Sequence, residues 1–487
     1  MTNEQELLQL RAENAELTAQ VAKLTTEKSE LAMQVAALLE RVQTVEARLS
    51  QDSHNSSKPP SSDGFTRSPK NRSLRKASGK KPGGQTGHTG KALLQVEKPD
   101  YIVDHLPTTC QHCQSSLTGL ARGPIIECRQ VFDLPRLEVQ VTEHRAYSRT
   151  CPNCTKATLG QFPIEATNWV QYGPAFRALA VYLLNQHLIP YARTAEILNE
   201  LFSYSLSPGT LTEFVAQCHI RLAEPEAAIK TALQQADVLH SDETGFYVCG
   251  KREWLHVAST AYLTHYQYHH SRGKHATDAI GILPAFKGVL VHDGFKSYTQ
   301  NTCQHALCNA HHLRELTFVT EQLGQAWASG LISLLCDLKT EVATACANGL
   351  ESLTTECLLE YEGVYQKLIE LGLEENPPPV GGWPKSKRGR VKQTKAKNLI
   401  DRLDKQRQQV LAFAYNFNVP FDNNQAERDL RMCKVQQKIS GCFRSGEGAT
   451  YFCRIRGYLS TMKKQGQNVF AALFNTFLGQ PPFPTVA

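Results

Sequence analysis

The stretch ADVLHSDETGFYV, residues 236–248, decides the fold. It opens with the apolar and polar alternation of a half-buried strand, then sets two carboxylates, Asp242 and Glu243, where the apolar pattern ends. Acid at a strand end reads either as a surface turn or as a metal-binding site, and partners elsewhere in the chain decide between them. REWLHVASTAY (252–262) and THYQYHHSR (264–272) read as strands, HATDAIGILPAF (275–286) as a helix, and GVLVHDGFKSY (288–298) as a strand ending in Asp293. This β-β-β-α-β order is the ribonuclease-H-like topology, in which the first and fourth strands lie side by side. Asp242 and Asp293 are therefore expected at adjacent positions. Two carboxylates held together repel unless cations occupy the space between them, and magnesium suits that place. Consecutive strand residues face opposite sides, so only one of Asp242 and Glu243 can face Asp293. A third carboxylate comes from DNNQAERDLRMCKVQQKISGCFRS (422–445), where Glu427 falls in the opening turns of a helix. Arg428 and Arg431 lie beside it or one turn later, placed to meet phosphate.

The chain of 487 residues is long enough for three or four folding units. Its 41% hydrophobic and 20% charged residues are those of a soluble globular protein, and no apolar run reaches the roughly 20 residues needed to cross a bilayer. No export signal opens the sequence, so a cytoplasmic, nucleoid-associated protein with no membrane partner is expected. The fifteen cysteines are odd in number and mostly sit singly in apolar patterns, which points to reduced thiols. A net charge of +7 is modest for this length; the basic residues matter through where they cluster.

Residues 1–50 carry a heptad seam, with Leu10, Leu17, Leu24, Leu31, Leu38 and Val45 at one position and Leu7, Asn14, Val21, Lys28, Val35, Val42 and Leu49 at the other. Asn14 and Lys28 interrupt the seam as register-fixing residues do, which predicts a parallel coiled-coil dimer. Residues 51–95 form a linker too polar to build a core; nine Lys or Arg stand against the single acid Asp63 between Lys58 and Lys91. In residues 96–165, Cys110-x-x-Cys113 and Cys151-x-x-Cys154 flank strand-like sequence including RLEVQVTEHRAYSRT (136–150), a zinc-ribbon-like pattern for one structural zinc ion. His112 and Cys128, between the pairs, read as packing or surface residues. Residues 166–235 read as three helices, the last two spaced like a helix-turn-helix that would bind DNA.

The motifs HSDETGFYV, VHDGFKSY and DNNQAERDLR, with the upstream SSKPPSSDG, GGQTGHTG and paired CxxC, resemble the transposases of the insertion sequence 66 family, TnpC-type. The resemblance covers nearly the whole chain in order. It implies a DDE transposase on a retroviral-integrase-like fold, with Asp242, Asp293 and Glu427 holding two magnesium ions, for which manganese can substitute. It also implies a helical insertion, residues 321–420, between the two halves of the catalytic core at 236–320 and 421–487. The fold class expected is thus multidomain α/β. Cys308 and His311, in LCNAHHLREL, match a Cys-x-x-His pattern of the family and are expected to order the site or contact DNA; His292 and Glu315 are lesser candidates. KSKRGRVKQTKAK (385–397), with Lys385, Lys387, Arg388, Arg390 and Lys392, would join Lys434, Lys438, Arg444, Arg454 and Arg456 in a phosphate track. Double-stranded DNA, a second copy of the chain and accessory proteins of the same element are the expected partners. A DNA-binding regulator with an inactive core and a nuclease that hydrolyses without joining are the alternatives.

Overall fold

The computed structural model describes residues 3–49, 51–52, 55–56, 87, 90, 92–163, 166–378 and 393–485. Residues 385–392, with Lys385, Lys387, Arg388, Arg390 and Lys392 of the expected basic track, lie outside them. The chain groups into two compact units, residues 1–69, 163–197 and 205–487 in one and 70–162 with 198–204 in the other. The N-terminal heptads form one uninterrupted helix, α1 (Asn3–Leu49). Its seam residues Leu10, Leu17, Leu24, Leu31 and Leu38 are all more than half exposed, so none of the described residues covers this apolar stripe.

In the smaller unit, the expected strand through RLEVQVT does not form; among the described residues regular strand pairing there is confined to β1 (Ser148–Thr150) and β2 (Ala157–Leu159), antiparallel. Their hairpin carries the second CxxC. The two CxxC turns share one backbone pattern. Cys110 N–H donates to Ser115 O and Gln114 N–H to Cys110 O, both 2.9 Å, and Cys151 N–H to Lys156 O and Thr155 N–H to Cys151 O repeat it at 2.9 Å.

The larger unit begins with α2 (Pro174–Val181), the first part of α3 (Tyr191–Phe202, whose residues from Leu198 group with the smaller unit), α4 (Pro208–Arg221) and α5 (Ala223–Gln234). The first expected helix is shorter than its apolar run: a π-helical turn over Tyr182–Gln186 follows α2. Ser207 caps α4 as its Ser-Pro sequence suggests, accepting from Thr210 N–H. Then come β3 (Val238–Val248), β4 (Lys251–Ser259), β5 (Thr264–His269), α6 (Lys274–Ile280), β6 (Val289–His292) and β7 (Gln304–Leu307). They form one five-stranded sheet in the order β5-β4-β3-β6-β7. β3, β4 and β5 are antiparallel neighbours, whereas β6 is parallel to both β3 and β7. The order read from sequence holds, with β7 added. β3 differs in one respect: it does not stop at its acids but runs on to Val248, because β4 continues to pair with it after β6 has ended.

β7 is followed by a helical segment of α7 (Asn309–Leu323), α8 (Ala326–Ala347), α9 (Thr355–Glu375), α10 (Lys395–Lys405) and two short helices, α11 (Arg407–Val410) and α12 (Ala412–Tyr415), in which the expected insertion would begin near the end of α7. It builds its own core around Trp327, Leu331, Leu335, Tyr365, Ile369 and Ile400. The chain then returns to the sheet through α13 (Asn424–Ser440), α14 (Gly446–Lys464) and α15 (Val469–Phe477). Phe246, Val248, Leu255, Val257 and Tyr266 of the sheet pack against Ala426, Leu430 and Cys433 of α13 and Ala449, Phe452 and Cys453 of α14. Two residues expected in the phosphate track serve this packing instead. Arg454 Nε donates to Glu226 Oε2 at 2.5 Å, and buried Arg456 donates to the carbonyls of Asn185 and Gln186. Both cations are spent on tying α14 to the α2–α5 helices.

Gly288 enters β6 so close to the incoming β3 backbone that a Cβ there would sit 2.3 Å from Asp237 O and 2.7 Å from Ala236 O. Gly288→Ala should lower stability by about 3 kcal/mol, since only a backbone shift relieves the overlap; urea unfolding measures it. Burial also keeps His265, His292 and His312 neutral, each lowered from 6.5 to about 3. The unfolded chain takes up these protons near pH 6.5 and the folded chain resists them. Stability should therefore be complete above about pH 6.5 and fall as pH drops from there towards 4, which thermal melts across that window test.

Candidate active site

Three elements far apart in sequence meet at the carboxyl end of β6. The parallel register pairs Val238 with Val289 and His240 with Val291. Continued by two residues, it sets Asp242 level with Asp293, the residue that follows β6. Residues of even number in β3 face α13: Phe246 and Val248 pack on it, and His240 Nδ1 lies 2.8 Å from Asn423 Oδ1. Asp242 shares that face, and Glu243 takes the opposite one.

Glu427 sits in the first turn of α13, and Asn423, the residue at that helix's N-terminal boundary, fixes where the turn begins. Asn423 is 1% exposed and all its polar groups are engaged. Its Nδ2 donates to Ser241 O at 2.9 Å, its Oδ1 accepts from His240, and its backbone N–H donates to Cys308 Sγ at 3.1 Å. Its carbonyl accepts from Glu427 N–H at 3.3 Å. One side chain thus joins the strand of Asp242, the start of α7 and the helix of Glu427. Asn before a helix is a boundary signal in the sequence, but these bonds to distant elements are not legible there.

Crowding shapes the electrostatics of these acids. Burial, then the carboxylates of Glu243 and Asp293 and more weakly Glu427, push the Asp242 pKa well above the usual carboxylate range; the Glu243 N–H, donating at 2.8 Å, opposes them. Asp242 forms no salt bridge among the described residues, and Lys434 of α13 acts on it only through its field. Glu243 is treated differently. It accepts from Arg272 Nε at 2.8 Å and from Tyr298 Oη at 2.5 Å, and Arg272 lies over the rings of Trp254 and Phe295. Burial raises its pKa despite these two donors.

Cys308, His311 and Glu427 each offer a donor atom, all within 4.8 Å of one another. His311 Nδ1 and Glu427 Oε1, 3.9 Å apart, are both buried without a hydrogen-bond partner. Unpaired buried acceptors beside crowded carboxylates fit a divalent cation, which would satisfy both. His292 faces elsewhere: its Nδ1 accepts from Gly294 N–H and its Nε2 lies 3.1 Å from His305 Nδ1. Glu315 is paired with Arg402 of α10, a cation whose field reaches Asp293 and which the sequence reading did not single out.

Arg428 and Arg431 are exposed on α13, Arg428 donating to Gln425 Oε1 at 2.9 Å. Lys434, two turns beyond Glu427, interacts with Asp242 and Arg252; burial lowers its pKa. Lys385, Lys387, Arg388, Arg390 and Lys392 lie outside the described residues. Of the basic residues after them, Lys397 pairs with Asp401 at 2.8 Å. In the smaller unit, hydrogen bonds from Ser115 and Cys110 lower Cys113 to about 7, and backbone donors within its own turn lower Cys151. No three of the sulfurs of Cys110, Cys113, Cys151 and Cys154 lie within 4.8 Å of one another.

Against this geometry stand two family matches. Residues 170–451 match the model of the Transposase IS66 family, a span that covers the sheet, the insertion and Glu427. The chain belongs to that family. Residues 4–93 match a family of unknown function, DUF6444, and no curated protein matches the chain. A transposase of this family acts on DNA, and no helix among the described residues is long and apolar enough to cross a membrane. In this transposase, Asn423→Ala should cost about 3 kcal/mol, because it strands the Ser241 carbonyl and the His240 ring in a buried place. Chemical denaturation of the variant against wild type measures it.

Proposed function

We propose that the chain is a DDE transposase that cleaves DNA at the ends of its insertion sequence and transfers the freed strand into target DNA, with Asp242, Asp293 and Glu427 as the catalytic acids. The observation that carries this reading is the crowding of these acids at the carboxyl end of β6, with Asp242 outside any salt bridge while its neighbour Glu243 is paired. Two magnesium ions, or manganese in their place, would supply Lewis acidity at the attacked phosphorus and at the leaving 3′-oxygen. Asp242 and Asp293, level on adjacent parallel strands, would hold one side of that centre. Glu427 closes the other, and Asn423 sets its reach. Cys308 and His311 support Glu427 from the first turn of α7. Arg428, Arg431 and Lys434 line successive turns of α13 and are placed to neutralise DNA phosphates on the approach to the acids; Lys385, Lys387, Arg388, Arg390 and Lys392 would extend that track.

The exposed apolar seam of α1 supports a homodimer through a coiled coil, since an unpaired stripe of leucines is stable in water only when covered. The matching CxxC turns with lowered thiols support a structural zinc, for which the two turns would have to close on one ion. Binding of element ends would fall to this zinc-ribbon-like module and the helices α2–α5, and accessory proteins of the same element would complete the assembly.

The test is magnesium-dependent cleavage and joining of labelled element-end DNA. Wild type should cut and join, while Asp242→Ala, Asp293→Ala and Glu427→Ala should each lose about a thousand-fold or more in rate, the equivalent of several kcal/mol of lost charge stabilisation, with DNA binding retained. Equal activity in Asp293→Ala would exclude the triad. Cleavage without joined product would favour a nuclease.

A further inference from the structure

β5 ends at His269, His270 follows it, and His275 stands in the first turn of α6. The short loop between them folds the three imidazoles together. Ring centroids are 4.2 Å apart for His269 and His270, 5.3 Å for His269 and His275, and 5.7 Å for His270 and His275. Each ring offers a nitrogen, and the three nitrogens lie within 4.8 Å of one another. His269 is half-buried and the other two are exposed, so an ion can reach all three.

We propose that His269, His270 and His275 form a binding site for one divalent transition metal of the zinc, nickel or copper class, separate from the carboxylate centre. The donor set decides the class: three imidazoles select borderline metals over magnesium, which prefers oxygen. The surroundings favour neutral, ligating rings. Burial and the mutual proximity of the three histidines lower the His269 pKa, with Glu253 and the Ser271 carbonyl acting the other way. The nearby cations do not fill the site: Lys274 pairs with Asp278 at 3.0 Å, and Arg272 turns towards Glu243. The turn fixes the His269 ring: Ser271 N–H donates to His269 Nδ1 at 3.0 Å, and buried His256 Nε2 lies 3.1 Å from the Ser271 carbonyl.

Occupancy would close a covalent-like ring across residues 269–275, and that ring contains Arg272. The cation that neutralises Glu243 would then sit on a loop pinned at both ends.

The experiment is nickel binding by the full chain, purified with zinc and with magnesium in excess, compared with His270→Ala and His275→Gln. Both replaced side chains are exposed, and circular dichroism checks that each variant is folded. Wild type should bind one more nickel ion per chain than either variant, or bind it at least ten-fold more tightly. X-ray absorption on that ion should show nitrogen neighbours and no sulfur, and the amides of Ser271 and Gly273 should exchange more slowly once it is bound. Equal nickel uptake by wild type and both variants, or a sulfur ligand on the additional ion, overturns the site.

Discussion

A buried amide holds the centre together. Asn423 bonds to the backbone beside Asp242, to His240 and to the Cys308 thiol, and its own carbonyl starts the helix that carries Glu427. Bringing several carboxylates into one half-buried place is unfavourable, and something else in the fold must hold them there. Part of that comes from apolar packing, since Phe246, Val248, Ala426, Leu430 and Phe452 seat α13 and α14 on the sheet. Packing alone leaves a helix free to slide or turn by small amounts. Asn423 removes that freedom because each of its bonds is directional and each partner belongs to a different element.

The adjacent acids of β3 show how the fold separates two roles with one strand. The alternation of side chains sends Asp242 to the α13 face and Glu243 to the other. Arg272 and Tyr298 then bond to Glu243, which leaves it paired where Asp242 is not. Arg272 is itself held flat between Trp254 and Phe295, and Phe295 lies two residues past Asp293. The ion pair therefore also steadies the turn that presents the second acid. Lys464 does similar work further along, donating to Asp429 Oδ2 at 2.8 Å and so fixing α13 to α14.

Much of this arrangement was legible in the sequence because it is written in short periodic segments. Strand alternation around 236–298 gave the sheet order, and with it the nearness of Asp242 and Asp293. The heptads of α1 and the Ser-Pro start of α4 were equally local signals. What escaped was set by distant partners. β7, with the sequence QHAL, is too short and too polar to read as a strand and exists because β6 offers it an edge. Arg454 and Arg456 look like surface charges until Glu226 and the carbonyls near Asn185 are seen beside them. The extent of β3 beyond its acids depends on β4, and the value of Asn423 depends on residues more than a hundred positions away. Arg402 was missed for the same reason: its pairing with Glu315, 87 positions away, and its field at Asp293 arise only in the folded chain.

Gly288 gives this division of labour an unexpected dependence. Its missing side chain lets the start of β6 press against the backbone of Asp237, and Val289 N–H donates to Asp237 O at 2.8 Å. That contact sets how far β6 slides along β3. A slip of a single residue would place Glu243 level with Asp293 but pointing away from α13, and Asp242 would lose its counterpart. The alignment of the acids is thus governed, from the far end of the strand pair, by an atom the chain does not have.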